Sequence, residues 1–185
     1  MQYTQSKRFA LLTITLLLAG FSFRASAQAI TGDEIKAQFL TDWQRAKSYT
    51  LDYLNTMPAD KYSFKAVDSI RSFAQQMLHL ASGNVGLIST ATGEKTDFPR
   101  GLEGRTTAQT KDSVVWYVTR SYDFAIESVQ KLDPNKYGEM IGQDPRKVSR
   151  FAWLLKAFEH QTHHRGQTTI YIRLQGIRPP NERLF

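Results

Sequence analysis

Apolar residues recur at helical intervals in four stretches of the chain, with turn-forming residues between them. The first opens at Thr31-Gly32-Asp33-Glu34, where threonine followed three residues later by glutamate has the form of a capping box. Ile35, Phe39, Ala46, Tyr49, Tyr53 and Leu54 then share a face, which Leu40 and Trp43 widen. This pattern predicts a helix from about Gly32 to Met57, ended by Pro58, because the residue before a proline avoids the helical region. A second helix is predicted from near Asp68 or Ser69 to just before Gly93, with Ile70, Phe73, Met77, Leu80, Ala81 and Leu87 facing inward. The third runs from about Ala108 to Leu132, carries Val114, Val115, Val118, Tyr122, Ala125, Ile126 and Val129, and stops at Asp133-Pro134-Asn135. Ser149 is the candidate cap of the fourth, whose apolar start is Phe151, Trp153, Leu154, Leu155 and Phe158. Gly176 and Pro179-Pro180 end it.

No strand-like alternation of useful length, repeat or low-complexity tract interrupts this pattern. The expected fold is all-α, a single bundle of four helices. Residues 58–68 read as a polar loop anchored by Tyr62 and Phe64, and residues 133–148 as a second loop with Gly138, Gly142 and Pro145. The stretch 92–107 holds Gly93, Pro99, Gly101 and Gly104 without periodicity. A helix of ~24 residues is about 36 Å long, and ~15 extended residues reach about 50 Å. That loop is long enough to cross the bundle, so the second and third helices can run parallel.

The beginning of the chain follows a different pattern. Lys7-Arg8 precede an apolar run from Phe9 to Phe21, and Ala25-Ser26-Ala27 has the form of a small-residue cleavage site. Residues 1–27 are read as a secretory signal peptide and 28–185 as the exported domain, periplasmic or secreted. The alternative is an uncleaved anchor, but the run is short against the ~20 residues of a membrane span. No second long apolar run follows, so no stable membrane insertion is expected after cleavage. The formal charge is +7. Residues 1–27 contribute Lys7, Arg8 and Arg24 and no acid, so 24 basic residues less 3 leave 21 against 17 acidic ones. This mildly basic, scattered charge has no Lys/Arg block, and nucleic-acid binding is not expected. The absence of cysteine excludes a lipoprotein anchor, disulfides, thiolate ligands and a cysteine nucleophile.

The four histidines change the picture. His160, His163 and His164 fall within five residues, and His160 and His164 are four apart, on one side of a helix. His79 lies on the second predicted helix. Two imidazoles from one helix and a third from another make a three-nitrogen divalent-metal site with an open coordination position. Each part alone has a plainer reading: the pair as a solvent-facing polar cluster, His79 as a core histidine bonded to a neighbour. Glu159 and His163 point about 100° away from their neighbours His160 and His164. Neither is assigned to the site, and no catalytic residue is assigned.

The run His160-x-x-His163-His164-Arg165-Gly166-Gln167, followed by Ile170-Tyr171, Arg173-Leu174 and Gly176-Ile177-x-Pro179-Pro180, resembles the DinB family. Asp60-Lys61-Tyr62-Ser63-Phe64-Lys65 and the segment from Ser69 to His79 resemble it as well. The resemblance spans roughly Ala29 to Pro180. It implies an up-down-down-up bundle, often dimeric, with His79, His160 and His164 carried over as ligands. It also implies a function: metal-dependent transfer or hydrolysis acting on a small thiol or electrophile. The alternative is a non-catalytic metal-binding or interaction protein of the cell envelope. Zinc or nickel is the expected ion, with iron or manganese also compatible with imidazole ligands, and a homodimer the expected assembly. Arg165 is expected to tie down a loop carboxylate or touch substrate, and Gln167 to orient a ligand. The loops 58–68 and 133–148 are expected to cover the site. Metal affinity is expected to fall as pH drops through about 6.5, where free imidazole protonates.

Overall fold

Capping chemistry sets where each helix begins. In this computed structural model, which describes residues 29–185, α1 spans Gly32–Thr56, α2 Phe73–Thr92, α3 Lys111–Lys131 and α4 Arg150–Leu174. The predicted leader, residues 1–27, lies outside the described residues. Thr31 and Glu34 form the expected capping box at α1, the Glu34 amide donating to Thr31 Oγ1 at 3.2 Å. Ser149 caps α4 by accepting from the Ala152 amide at 3.1 Å. At the other end of α4, Gly176 takes a φ of 72°, the left-handed conformation that terminates helices readily only when no Cβ is present.

Two helix starts differ from the sequence expectation. α2 begins at Phe73 rather than near Asp68, because Ser72 and Gln75 form a capping box that stops the helix growing toward its N-terminus. The next two orphan donors are satisfied from the entering loop: Phe73 N donates to Phe64 O and Ala74 N to Tyr62 O. Ile70 therefore belongs to that loop and not to the apolar face of the helix. α3 starts at Lys111, capped by Thr110, since the residues before it form two short 3-10 turns, Leu102–Gly104 and Thr106–Ala108. Leu102 and Ala108 are buried and hold these turns against the bundle. The loop after α3 also carries a two-residue antiparallel pairing, β1 (Met140–Ile141) with β2 (Val148–Ser149), too short to leave an alternating pattern.

Contacts at the helix ends fix the direction of each helix. Lys111 at the start of α3 donates to Asn55 O and Met57 O at the end of α1, and Lys36 near the start of α1 donates to Leu132 O beyond α3. α1 and α3 are antiparallel. α1 and α4 are parallel, with Phe39 against Phe151 at one end and Tyr53 bonded to Thr169 at the other. α2 opposes α4: Arg150 donates to Ala91 O, and the Tyr171 hydroxyl donates to Arg71 O. The order is therefore up-down-down-up, and residues 93–110 make the long crossover between the parallel α2 and α3. Trp43 fills the centre, edge-on to Tyr122 and Phe158 with ring centroids 5.7 and 5.5 Å away. Leu54, Met77, Leu80 and Leu154 are fully buried in the same core.

Replacing Ser72 by Ala is expected to cost about 1 kcal/mol in urea unfolding, the usual loss for a helix cap. Ser69→Ala is expected to change stability by less than about half of that. Equal losses at the two positions would place the start of α2 at Ser69 instead.

Candidate metal centre

His79 stands on α2, and His160 and His164 stand one turn apart on α4. Because α2 and α4 are antiparallel neighbours, the three rings converge. Each offers a nitrogen within 4.8 Å of the other two. Ring centroids are 5.2 Å apart for His79 and His160, 4.5 Å for His79 and His164, and 4.4 Å for His160 and His164. Three atoms spaced so share a point within about 2.8 Å of each. Small inward movement of the side chains reaches the ~2.0–2.1 Å of zinc–nitrogen bonds. His160 Nδ1 is buried and meets no hydrogen-bond partner, so this ring has an uncommitted nitrogen. A donor set of neutral imidazoles with such a nitrogen fits a borderline divalent cation.

Position 83 makes this convergence possible. A Cβ built on Gly83, one turn beyond His79 on α2, would lie 2.7 Å from His160 Nε2 and closer still to Cε1 and Nδ1. No side chain fits there while the His160 ring holds its place. A glycine inside a helix usually costs stability. The reason for this one is close packing across helices, which a periodicity argument does not reveal.

The other ring nitrogens are supported from outside the trio. His79 Nδ1 lies 2.8 Å from Glu103 Oε1, on the crossover between α2 and α3. Arg71 Nε donates to the second oxygen of the same carboxylate at 2.7 Å. His164 Nδ1 faces two amides, Gln76 Nε2 at 2.8 Å and Gln167 Oε1 at 3.1 Å, and Gln76 donates to Gln167. Gln167 thus stands beside a candidate ligand, as expected, while Gln76 and Glu103 were not singled out in the sequence. Both follow weak signals: Gln76 shares a helix face with His79 at i+3, whereas Glu103 sits in a loop without periodicity.

Burial opposes a charge on the two α4 histidines. Desolvation first, then the nearby His79 and His163 rings, lowers the His160 pKa to about 4. Desolvation and the His160, His79 and His163 rings likewise lower His164 to about 4, against a small opposing hydrogen bond from Gln167. Both rings therefore stay neutral, and ready to ligate, well below the 6.5 expected from the free side chain. Desolvation raises the Glu103 pKa, but hydrogen bonds and charges from Arg71 and His79 outweigh it and hold the carboxyl below its usual value.

Arg165 departs from expectation. It meets no carboxylate among the described residues. Only 7% exposed, it donates through Nη1 to Gln161 Oε1 at 2.7 Å and stacks its guanidinium 4.7 Å over Tyr49. The Tyr122 hydroxyl also donates to Gln161 Oε1, and Tyr122 shares a 2.7 Å hydrogen bond with Thr50. Arg165 thus belongs to a buried polar layer on the side of α4 facing α1 and α3, about 100° around the helix from the histidines. Glu159 is exposed and His163 lies outside the trio, as their angles required, but His163 borders a groove beside His164.

That groove has a volume of about 850 Å³. Arg71, Glu103 and Gln167 line its polar side, and Ile70, Ile170 and Tyr171 its apolar side. Ser69, Ile70 and Arg71, just before α2, and Glu103 of the crossover thus border the groove, whereas no residue of the loop 58–68 lines it. Residues 133–148 do not either, since they pack at the opposite end of the bundle, where Glu139 pairs with Arg150 beside Ala91.

Gly83→Ala is expected to displace His160 and weaken zinc binding more than tenfold in a chelator competition, with the helical signal kept. Wild-type affinity in that variant would remove the packing argument. For the metal-free protein the sign of the pH dependence follows from the lowered values. Between pH 6.5 and 4 the unfolded chain takes up protons at positions 160 and 164 that the folded chain does not. Stability contributed by these neutral rings is present above pH 6.5 and is lost as pH falls toward 4. The urea midpoint of wild type is expected to fall more steeply over that window than that of His160→Leu. Parallel slopes would contradict it.

The family model described as the DinB family matches residues 28–183. A DinB-like protein from Bacillus cereus has a crystal structure similar to this fold, with a TM-score of 0.68 and 18% identity. That match covers 78% of this chain and 95% of the other. A DinB-like protein from Bacillus subtilis matches with a TM-score of 0.60 at 18% identity, over 80% of this chain and 96% of its own. A conserved protein from Enterococcus faecalis gives 0.62 at 16% identity, covering 79% and 98%. None of the curated proteins compared with the chain matches it. With the family match running from the start of the described bundle to within two residues of the C-terminus, the chain belongs to the DinB family.

Proposed function

We propose that the protein holds one divalent metal ion through His79, His160 and His164 and acts on a small thiol or electrophile as a metal-dependent transferase or hydrolase. The observation that carries this reading is the convergence of three imidazole nitrogens within 4.8 Å, beside a groove of about 850 Å³. Three protein ligands leave a coordination position open, the arrangement of catalytic rather than structural sites. A divalent ion held there supplies Lewis acidity toward a donor atom of the substrate. Zinc or nickel suits three neutral nitrogens, and iron or manganese is the alternative.

The chain's own residues do the rest. Glu103 and Gln167 hold the rings of His79 and His164 in place. Ile70, Ile170 and Tyr171 give the groove its apolar lining, while the Arg71 guanidinium, bonded to Glu103 through Nε, keeps its remaining N–H groups for polar groups of a substrate. Export belongs to this reading, with the leader at 1–27 removed and the bundle working in the periplasm or outside the cell. Among the described residues no helix is long and apolar enough to cross a membrane. A homodimer belongs to it as well: Leu155, Ile170 and Leu174, each 48–57% exposed, run along the outward face of α4.

Elemental analysis of tag-free protein, wild type beside His160→Ala, tests the core of the proposal. About one divalent ion per chain is expected in wild type, with loss from the variant and an unchanged helical signal. No bound ion after incubation with zinc and nickel would overturn it. Stoichiometric metal without turnover of thiols, small electrophiles or esters would leave a binding protein without chemistry.

A further inference from the structure

The crossover between α2 and α3 does more than connect two parallel helices. It delivers one carboxylate to one ring nitrogen. Leu102 is fully buried beneath the turn, and Gly101 takes a φ of 69° that sets the chain into it. The Glu103 carbonyl accepts from the side chains of Gln75 on α2 at 3.2 Å and of Gln109, just ahead of the α3 cap, at 2.8 Å, so the backbone of the turn is held from two sides. The carboxylate is held by two further groups, Arg71 Nε at 2.7 Å and His79 Nδ1 at 2.8 Å. An exposed loop glutamate needs none of this support. The arrangement fixes the direction of the carboxylate relative to the imidazole.

An ionised carboxylate only accepts hydrogen bonds. The nitrogen 2.8 Å from Glu103 must therefore carry the proton, and the lone pair of the neutral ring lies on Nε2. We infer that Glu103 is the positioning residue of the site. It holds His79 in the Nδ1–H tautomer, so that Nε2 is the ligating nitrogen. Metal affinity is thereby set in part by a segment outside the four helices. The inference rests on the three-histidine reading for its effect on affinity, but the tautomer is a property of the metal-free protein.

Long-range 1H–15N spectra of the metal-free protein identify which His79 nitrogen is protonated. Wild type is expected to show the Nδ1–H form, and Glu103→Ala the tautomer mixture of an unconstrained imidazole. Zinc affinity in a chelator competition is expected to fall 10–100-fold in Glu103→Ala. Glu103→Gln retains an acceptor oxygen and is expected to lose less, and it serves if the alanine variant melts early. In a His79→Ala background, Glu103→Ala is expected to cost nothing further, since the two residues act as one unit. A wild-type His79 protonated on Nε2, or a tautomer unchanged by Glu103→Ala, would overturn the inference. If wild type takes up no zinc, the metal reading fails, and the tautomer alone decides the role of Glu103.

Discussion

The close approach of α4 to α2 at Gly83 is the constraint on which the candidate site depends. The His160 ring occupies the space a side chain at that position would fill. There α4 can turn two imidazoles toward His79 while the adjacent side, about 100° around the helix, buries Gln161 and Arg165. α4 is for this reason a poor amphipathic helix. It carries polar groups on both buried sides, and its position is specified by hydrogen bonds and ring packing more than by an apolar stripe. The loss of hydrophobic contact at the centre of α4 is offset by Trp43, Tyr122 and Phe158, which pack edge to face beside the polar layer.

Much of this could be read from the chain itself, and the parts that could not share a cause. The helices with strong caps, α1 at Thr31 and α4 at Ser149, begin where periodicity and capping chemistry agree. α2 was placed early because Ile70 continues the apolar spacing, while the decisive Ser72-x-x-Gln75 box lies inside the predicted run. The histidine trio was legible because i, i+4 spacing is local and only His79 lies outside the 160–164 cluster. Glu103, Gln76 and Gly83 matter through contacts between segments: the first acts across a loop, the second and third across a helix interface. Arg165 was expected to seek a carboxylate. Instead Tyr49 and Gln161 receive it, a solution that depends on helix pairs far apart in the sequence.

Burial and ligation act in the same direction at this site. Desolvation that would penalise charged imidazoles keeps His160 and His164 neutral to about pH 4, which extends the range in which a cation competes with protons. The same burial gives the metal-free protein an acid-sensitive core, because the rings are held uncharged at a cost once the unfolded chain can protonate. The Glu103 carboxylate lies on the groove side of the trio, so the nearest negative charge is placed by the crossover and not by the helices.

The crossover and α4 also set when a complete site can exist. Its residues come from positions 79, 103, 160 and 164, and α4 lies at the far end of the chain. A chain still being synthesised holds His79 and Glu103 long before either α4 histidine emerges. The three-nitrogen set is therefore complete only once α4 has packed against α2. An ion held there is acquired where folding finishes, and the choice among available metals is made in that compartment.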